Sequence, residues 1–317
     1  MLQRGILITG VGGDIGQGII KCIKNMEYAF DVIGCDTDCY AAGRREVRIF
    51  FESPPVRENQ KYLEFIKKIV NAEHINYIIP TTEAEIEFYS RFRDYFNEVR
   101  LIVNSSFIID TFLDKYKTTN FLKSNGLPYP KTYLIEDYNN ELSFPMLLKK
   151  RKGYGGKGSV IINDNEELNF YKTKIKDVVI QEIAGTPDEE YTVGVFSTGK
   201  DVYSIAFKRV LGYGSLSKIA QLIYDEEIKD LAERIAKASS LEGSFNIQLR
   251  KTNKCYVPFE INPRFSSTVY TRHCFGFQDV KWWMDLKEGQ EIKYIPKYKR
   301  GIAVRALGET FFDLVPL

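Results

Sequence analysis

Residues 244–264 read SFNIQLRKTNKCYVPFEINPR, and this stretch decides the fold that we expect for the C-terminal half of the chain. Polar and apolar residues alternate in its first part, 244–250, and again in its last part, 256–262. This alternation predicts two neighbouring strands. Side chains alternate between the two faces of a strand, so Glu260 and Asn262 point to the same face. A carboxylate and an amide oxygen two residues apart form a hard-oxygen site suited to Mg²⁺ bridging phosphates.

The register of this predicted hairpin decides whether Gln248 joins the same site. Gln248 faces Glu260 only if the numbers of paired residues sum to an even number, for example with Arg250 opposite Tyr256. Without a bulge, such a pairing requires a loop of odd length. A half-exposed amphipathic hairpin without a ligand is the alternative interpretation.

The residues that follow the second strand also favour a binding site. Pro263 restricts Asn262 to an extended conformation, which holds its side chain in place. Arg264 comes next and is close enough to reach a developing negative charge.

A glycine-rich segment, residues 153–158 (GYGGKG), separates two further predicted strands, 145–149 and 159–162. Glycine has no Cβ, so backbone N–H groups of this segment can approach an anion closely. A strand rather than a helix follows the segment, which excludes a Walker A loop, and an exposed basic hairpin is the alternative. The residues that we expect beside phosphate oxygens are Lys149, Gly155, Gly156 and Lys157.

Two other segments are compatible with a nucleotide site. Residues 181–185 (QEIAG) predict an extended hinge between domains, whose backbone can pair with an adenine edge. Glu190 can accept hydrogen bonds from both ribose hydroxyls. A helix is predicted over 114–125 with Asp114 as its N-cap, and Lys115 at its start either reaches a phosphate or is an ordinary surface lysine.

The first third of the chain alternates strands with helices, which indicates βαβ units and a parallel sheet. Strands are expected at 5–9, 31–35, 77–79 and 100–103, and helices at 15–26, 59–70 and 83–96. Residues 9–16 (TGVGGDIG), with Asp36 about 20 residues further on, fit a dinucleotide-binding fingerprint. An NAD-dependent oxidoreductase is therefore an alternative function, although no tyrosine has a lysine four residues later, as short-chain dehydrogenases require.

The composition narrows the functional classes. The chain has 317 residues, of which 44% are apolar and 27% charged, and its net charge of +2 favours neither nucleic acid nor a membrane surface. No apolar run approaches the ~20 residues that span a bilayer. Five scattered cysteines and two histidines match no metal-binding or nucleophile–base pattern, which predicts reduced thiols and a cytoplasmic protein.

In this order, the motifs resemble those of the ATP-grasp superfamily, in particular carboxylate–amine ligases similar to the carbamoyl phosphate synthase large subunit. The resemblance covers nearly the whole chain. The segments that carry it are 9–16, 80–85, 114–130, 145–158, 181–193, Gln248 and 260–264.

The resemblance implies an α/β and α+β protein with three parts. An N-terminal Rossmann-like parallel-sheet domain is expected at 1–111, followed by a two-subdomain ATP-grasp fold. Its small subdomain, with the flexible glycine loop, is expected at 112–184, and its C-terminal subdomain, with the metal site, at 185–317. A homodimer is compatible with the resemblance.

The resemblance also implies roles for single residues. Arg264 and Lys149 would act in catalysis, with Arg264 stabilising an acyl phosphate. Many relatives have a carboxylate at the position of Gln248, so the number of metal ions, one or two, stays open. The residues implied for ATP are Lys115, Lys149, Gly155, Gly156, Lys157, Gln181, Glu182, Ile183 and Glu190, and those implied for Mg²⁺ (or Mn²⁺) are Gln248, Glu260 and Asn262.

The implied function is that of a Mg·ATP-dependent ligase. It would form an acyl phosphate from a small-molecule carboxylate and couple it to a nucleophile, expected to be an amine, with release of ADP and phosphate. A carbamoyl-phosphate-synthase-like phosphorylation of carbonate or carbamate is an alternative within the superfamily. The intact residues Glu260, Asn262 and Arg264 disfavour a non-catalytic nucleotide-binding module.

Overall fold

The N-terminal part of the chain is a parallel sheet with crossover helices. The computed structural model describes residues 4–27, 30–153, 158–212, 214, 216–306, 308–310 and 312. The strands of the first sheet are β1 (Arg4–Thr9), β2 (Phe30–Asp36), β3 (Ile49–Glu52), β4 (Ile75–Ile79) and β5 (Arg100–Leu101). Their order is β3-β2-β1-β4-β5, and every neighbouring pair is parallel. The connecting helices are α1 (Asp14–Lys24), α2 (Asn59–Ala72) and α3 (Glu83–Arg91).

This arrangement confirms the predicted Rossmann-like domain, with two differences. The helix predicted over 83–96 ends at Arg91, and a separate 3₁₀ turn covers Arg93–Phe96. Strand β3 was not predicted, because it lies at the sheet edge with half-buried side chains and lacks a continuous buried run. At the start of α3, Thr82 and Glu85 form a reciprocal capping box that fixes where the helix begins.

Two helices and a small antiparallel sheet follow. The helices are α4 (Ser106–Phe112) and α5 (Lys115–Ser124), and the side chain of Asp114 caps α5 as predicted. The strands are β6 (Thr132–Leu134), β7 (Met146–Lys150), β8 (Val160–Ile162) and β9 (Val178–Glu182), with α6 (Asn165–Lys174) before β9. Their order in the sheet is β6-β9-β7-β8.

A six-stranded antiparallel sheet forms the C-terminal part. Its elements are β10 (Glu190–Thr198), β11 (Val202–Leu211), β12 (Ser217–Ile223), α7 (Glu226–Ala238), β13 (Glu242–Lys251), β14 (Tyr256–Asn262), α8 (Val269–Cys274), α9 (Asp279–Lys287) and β15 (Ile302–Val304). The strand order is β14-β13-β10-β11-β12-β15. Strands β11, β12 and β15 and helices α8 and α9 were not predicted, whereas β13 and β14 cover the strands predicted at 244–250 and 256–262.

The hydrophobic cores cross the predicted domain boundaries. Residues of β1 and α1 share one core with Phe196 of β10, Trp283 of α9 and Val269 of α8. Helices α4 and α5 pack into the core beneath β13 and β14 rather than only against the small sheet. The boundaries at 111 and 184 therefore stay a prediction, because packing alone does not separate the parts there.

Two predicted absences concern the described residues. Among them, no helix combines the length and the apolar character that membrane crossing demands. All five cysteines, Cys22, Cys35, Cys39, Cys255 and Cys274, are free thiols.

Candidate active site

A cavity of about 220 Å³ opens between the small sheet and the six-stranded sheet. Strands β7 and β9 and the segment after β9 form one wall, and strands β10, β11, β13 and β14 form the other. The predicted site residues that line this cavity are Lys115, Lys149, Gln181, Glu182, Ile183, Glu190, Gln248 and Glu260. Residues that lie more than 100 positions apart in the chain are thus brought together at one site.

Lys149 is a buried ammonium group on the wall formed by the small sheet. Its Nζ donates to Oε1 of Gln181 at 2.8 Å, and Nε2 of Gln181 donates to the Thr132 hydroxyl at 2.9 Å. The Lys149 ammonium also lies 5.3 Å from the centre of the Phe259 ring. Burial lowers the pKa of Lys149 to about 8, although the Glu260 carboxylate acts in the opposite direction. Lys149 is therefore a buried amine that the protein holds in a fixed position at the cavity.

The segment after β9 connects the small sheet to the six-stranded sheet and lines the cavity. The side chain of Glu182 accepts a hydrogen bond from the backbone N–H of Lys131 at 2.8 Å, while Ile183 and Ala184 line the cavity. Gly185 has a φ of +58°, and a Cβ there would lie 2.5 Å from the carbonyl oxygen of Lys251. Only glycine fits this close approach to the β13–β14 hairpin.

The glycine-rich segment is described only at its ends. Lys115 Nζ donates to the carbonyl oxygen of Gly153 at 2.8 Å, which places the start of α5 beside the segment. The predicted phosphate contacts Gly155, Gly156 and Lys157 lie outside the described residues.

Glu190 is buried between two arginines. Its Oε1 accepts from Nε and Nη2 of Arg209 at 3.0 and 2.6 Å, and its Oε2 accepts from Nε of Arg250 at 2.9 Å. Arg250 lies directly opposite Glu190 across β10 and β13. Arg209 also donates to Oε1 of Gln248 at 2.7 Å. The residue predicted for ribose is therefore at the cavity but already bonded to the protein.

Neither arginine was predicted, and neither was Phe259. Charged side chains are seldom buried without a partner of opposite charge. A buried Glu190 therefore indicates an arginine or lysine on a neighbouring strand. The partner could not be assigned, because strand β11 was not predicted.

The hairpin of β13 and β14 has the predicted shared face but a different register near its loop. Gln248 and Glu260 share a face, as predicted, and they lie directly opposite each other. Arg250 lies opposite Val257 rather than Tyr256, because the register shifts between Gln248 and Leu249. The extra residue of this bulge is Phe259. Phe259 lines the cavity together with Glu260, although simple alternation places it on the opposite, apolar face.

The oxygen donors of β14 fit a divalent cation. Within the described ranges, Glu260 makes no hydrogen bond or ion pair, so its carboxylate is available to a ligand. Asn262 lies two residues further on and lines a second cavity of about 230 Å³, which Glu260 also borders. A carboxylate and an amide oxygen are suitable donors for Mg²⁺. The described residues contain no group of three or more His, Cys, Asp or Glu side chains placed to hold a metal.

Arg264 is not among the lining residues of either cavity. Its Nε and Nη2 donate to Oε1 of Glu83 at the start of α3, and its Nη1 donates to the carbonyl oxygen of Phe265 at 2.8 Å. Glu83 does border the second cavity. The predicted catalytic arginine is thus bonded at the edge of that cavity to a carboxylate of the N-terminal domain.

The N-terminal glycine turn is closed on itself. The Gly12 N–H donates to Oδ2 of Asp36 at 2.8 Å, so the acidic residue of the dinucleotide-binding fingerprint is engaged in the turn. A Cβ on Gly16 would lie 2.5 Å from the carbonyl oxygen of Gly10. These contacts explain the glycines by packing of a tight strand–helix connection, and they give no support to an oxidoreductase.

Comparison with known proteins shows that the chain is similar to ATP-grasp proteins. A family model described as "ATP-grasp in the biosynthetic pathway with Ter operon" matches residues 174–310. The carbamoyl phosphate synthase large chain of Campylobacter jejuni is 22% identical over 333 residues, which cover 94% of this chain but only 30% of that protein. The N5-carboxyaminoimidazole ribonucleotide synthase of Saccharolobus solfataricus is 23% identical over 274 residues, 81% of this chain and 68% of that protein.

A solved structure gives the same answer for the fold. N5-carboxyaminoimidazole synthetase from Staphylococcus aureus, solved in complex with ADP, superposes with a TM-score of 0.77 at 15% identity, covering 96% of this chain and 83% of that one. The family model that matches residues 174–310 and the sequence similarity to carbamoyl phosphate synthase large chains show that this chain is similar to ATP-grasp proteins, and the solved structure shows the same fold.

Proposed function

We propose that this protein is a Mg·ATP-dependent ligase that phosphorylates a small-molecule carboxylate and couples the acyl group to an amine, releasing ADP and phosphate. The observation that carries the proposal is the arrangement of Lys149 and Glu260. They border one cavity from opposite sheets, and Glu260 has no direct partner among the described residues. A fixed cation facing a free carboxylate is suited to a nucleotide phosphate chain with its metal ion.

The carboxylate must be activated before an amine can attack it, because a carboxylate is a poor electrophile and oxide is a poor leaving group. Phosphorylation supplies phosphate as the leaving group. Lys149 binds phosphate oxygens, and the segment 183–184 lines the place for the base. A Mg²⁺ ion held by Glu260 and Asn262 would supply Lewis-acid charge to those oxygens.

The second cavity is the proposed place for the acid and the amine. It borders Glu260 and Asn262 on one side and Glu83 of the N-terminal domain on the other. Arg264 can reach a carboxylate there once it exchanges Glu83 for a substrate, because the bond to Glu83 already shows that its guanidinium pairs with a carboxylate.

Phosphorylation of carbonate or carbamate is a second candidate. It is supported by the sequence similarity to carbamoyl phosphate synthase large chains, of which this chain spans 30% in the Campylobacter jejuni protein.

The first test is a pairwise screen of small carboxylates and amines for stimulated release of ADP. With a productive pair, an ¹⁸O-labelled carboxylate is expected to transfer one labelled oxygen to the released phosphate, which mass spectrometry detects. Unlabelled phosphate during coupling, or AMP as the product, would contradict the acyl-phosphate route. Carbamate chemistry would instead give ADP release that depends on bicarbonate.

A variant links this reaction to the site. Glu260→Gln removes the carboxylate charge without a change of shape, and we expect it to abolish turnover while the Tm of the free protein stays near the wild-type value. Mg·ATP should then no longer raise the Tm. Glu64→Gln, at an exposed position of α2, is the matched control. Full turnover by Glu260→Gln would assign the metal site elsewhere.

A further inference from the structure

Arg209 of β11 lines the cavity and donates hydrogen bonds to two residues that were predicted to bind ligand, Glu190 and Gln248. It is 7% exposed, and its Nη2 donates both to Oε1 of Glu190 at 2.6 Å and to Oε1 of Gln248 at 2.7 Å. The guanidinium therefore lies between the predicted ribose residue and the first predicted metal ligand.

This position removes oxygen donors from the metal site. Oε1 of Gln248 already accepts from a cation, and both oxygens of Glu190 are bonded to Arg209 or Arg250. The free donors on this wall are then those of Glu260 and Asn262. A second divalent cation at Gln248 would lie within a few ångströms of a buried guanidinium, and such like charges repel strongly away from water.

We propose that the Arg209 guanidinium takes the place of a second divalent cation, so that this site binds nucleotide with a single metal ion on Glu260 and Asn262. The inference rests on the proposed function, because the metal is needed only if a nucleotide binds. Arginine suits this role, since its charge is permanent and its several donors can contact phosphate oxygens while they hold Gln248.

The test counts manganese in the complex with a non-hydrolysable ATP analogue. Titration with Mn²⁺, followed by electron paramagnetic resonance, is expected to give about one Mn²⁺ per wild-type chain without spin coupling between two ions. The double variant Arg209→Met/Gln248→Glu removes the cation and restores a carboxylate. It is expected to bind a second Mn²⁺, at least about tenfold more tightly than any second ion in the wild type.

Arg250→Met is the matched control. Arg250 belongs to the same cluster and also bonds Glu190, but it makes no bond to Gln248 in the structure. This variant should still bind one Mn²⁺. Two Mn²⁺ ions in Arg250→Met, or one in the double variant, would show that Arg209 does not set the number of bound metal ions. Either result would overturn the inference.

Wild-type crystals of the same complex give a count that does not depend on how the variants fold. Anomalous scattering should show one manganese, at Glu260 and Asn262, with Arg209 still bonded to Gln248. A second manganese at Gln248 would overturn the inference while leaving the proposed function intact. Failure of the analogue to bind at all would instead refute the proposed function, and the inference with it.

Discussion

Lys149 combines burial with a positive charge, and this combination would make the proposed nucleotide binding sensitive to pH. Removal from water disfavours the ammonium form, which lowers the pKa of Lys149 to about 8. Its bond to Gln181 and its position over the Phe259 ring stabilise the charged form only in part. A bound phosphate would supply the missing negative charge and raise the pKa again.

We therefore expect proton uptake when the nucleotide binds. At pH 8 about half of the Lys149 side chains are neutral, so binding should take up about half a proton, and more at pH 9. The affinity should fall as the pH rises above about 8, by at most about tenfold per pH unit. Calorimetric titrations in buffers with different ionisation enthalpies measure the uptake directly.

Lys149→Arg is the control for this pH dependence, because a guanidinium stays charged throughout the range. The variant should bind nucleotide without proton uptake between pH 7 and 9. Equal uptake by the wild type and by Lys149→Arg would assign the proton to a different group.

For single residues, the sequence predicts the site residues that stand at strand ends. It misses those whose position depends on which strands pair. Lys149 and Glu260 follow apolar runs, and local alternation already places them at an edge or on a face. Arg209 and Arg250 acquire their roles from the pairing of β10 with β11 and β13. That pairing is a long-range property, which a local pattern does not contain.

At the scale of elements, the β13–β14 hairpin illustrates both the reach and the limit of periodicity. Alternation correctly predicts that Gln248 and Glu260 share a face. It cannot predict the bulge at Phe259, because one additional residue changes the face of every residue beyond it without changing the composition. The centre of the Phe259 ring lies 5.3 Å from the ammonium of Lys149 and 5.3 Å from the guanidinium carbon of Arg250.

Helices α8 and α9 are joined to the sheet by a fully buried ion pair. Arg272 donates from Nε and Nη2 to Asp279 at 3.0 and 2.5 Å, and from Nη1 to the Ser266 hydroxyl at 3.0 Å. Asp279 also accepts from the Ser244 hydroxyl at 2.8 Å. The pair therefore ties the segment after Asn262 to β13.

Breaking this pair should destabilise the protein strongly. Arg272→Met leaves the Asp279 carboxylate buried without its cation, and we expect the free energy of unfolding to fall by about 3–5 kcal/mol. Arg272→Met/Asp279→Leu, which removes both charges, should recover part of the loss. Urea denaturation followed by circular dichroism gives these values.

An exposed ion pair provides the comparison. Lys229→Met breaks the pair of Lys229 with Glu226 on α7, which is open to solvent, and should change the free energy of unfolding by no more than about 1 kcal/mol. Similar losses in the buried and the exposed variant would mean that the charge of Asp279 does not depend on Arg272 for its balance.

At the scale of the whole molecule, the N-terminal domain and the six-stranded sheet are joined by close packing. Helix α1 contacts α8, and both contribute to one hydrophobic core. Asn104, beyond the first sheet, donates to the carbonyl oxygens of Ser244 and Pro263 at 2.8 and 3.0 Å. The site residues at the end of β14 are thus held by contacts from the N-terminal domain, and we expect these parts to unfold together.

Gly18 of α1 tests this coupling, because helix propensity and packing predict opposite effects there. Alanine in place of a helical glycine normally stabilises a helix by about 1 kcal/mol. A Cβ on Gly18, however, would lie 2.7 Å from Cγ1 of Val269 on α8, which is fully buried, so one of the two helices must shift. Gly18→Ala should therefore lower the free energy of unfolding by about 1–3 kcal/mol through overpacking, and calorimetry should still show a single transition.

With Val269→Ala in the background, the same substitution should become neutral or stabilising, because the space it needs is then free. A stabilising effect of Gly18→Ala in the wild-type background, or a calorimetric profile with two separate transitions, would mean that α1 and α8 do not pack as one unit.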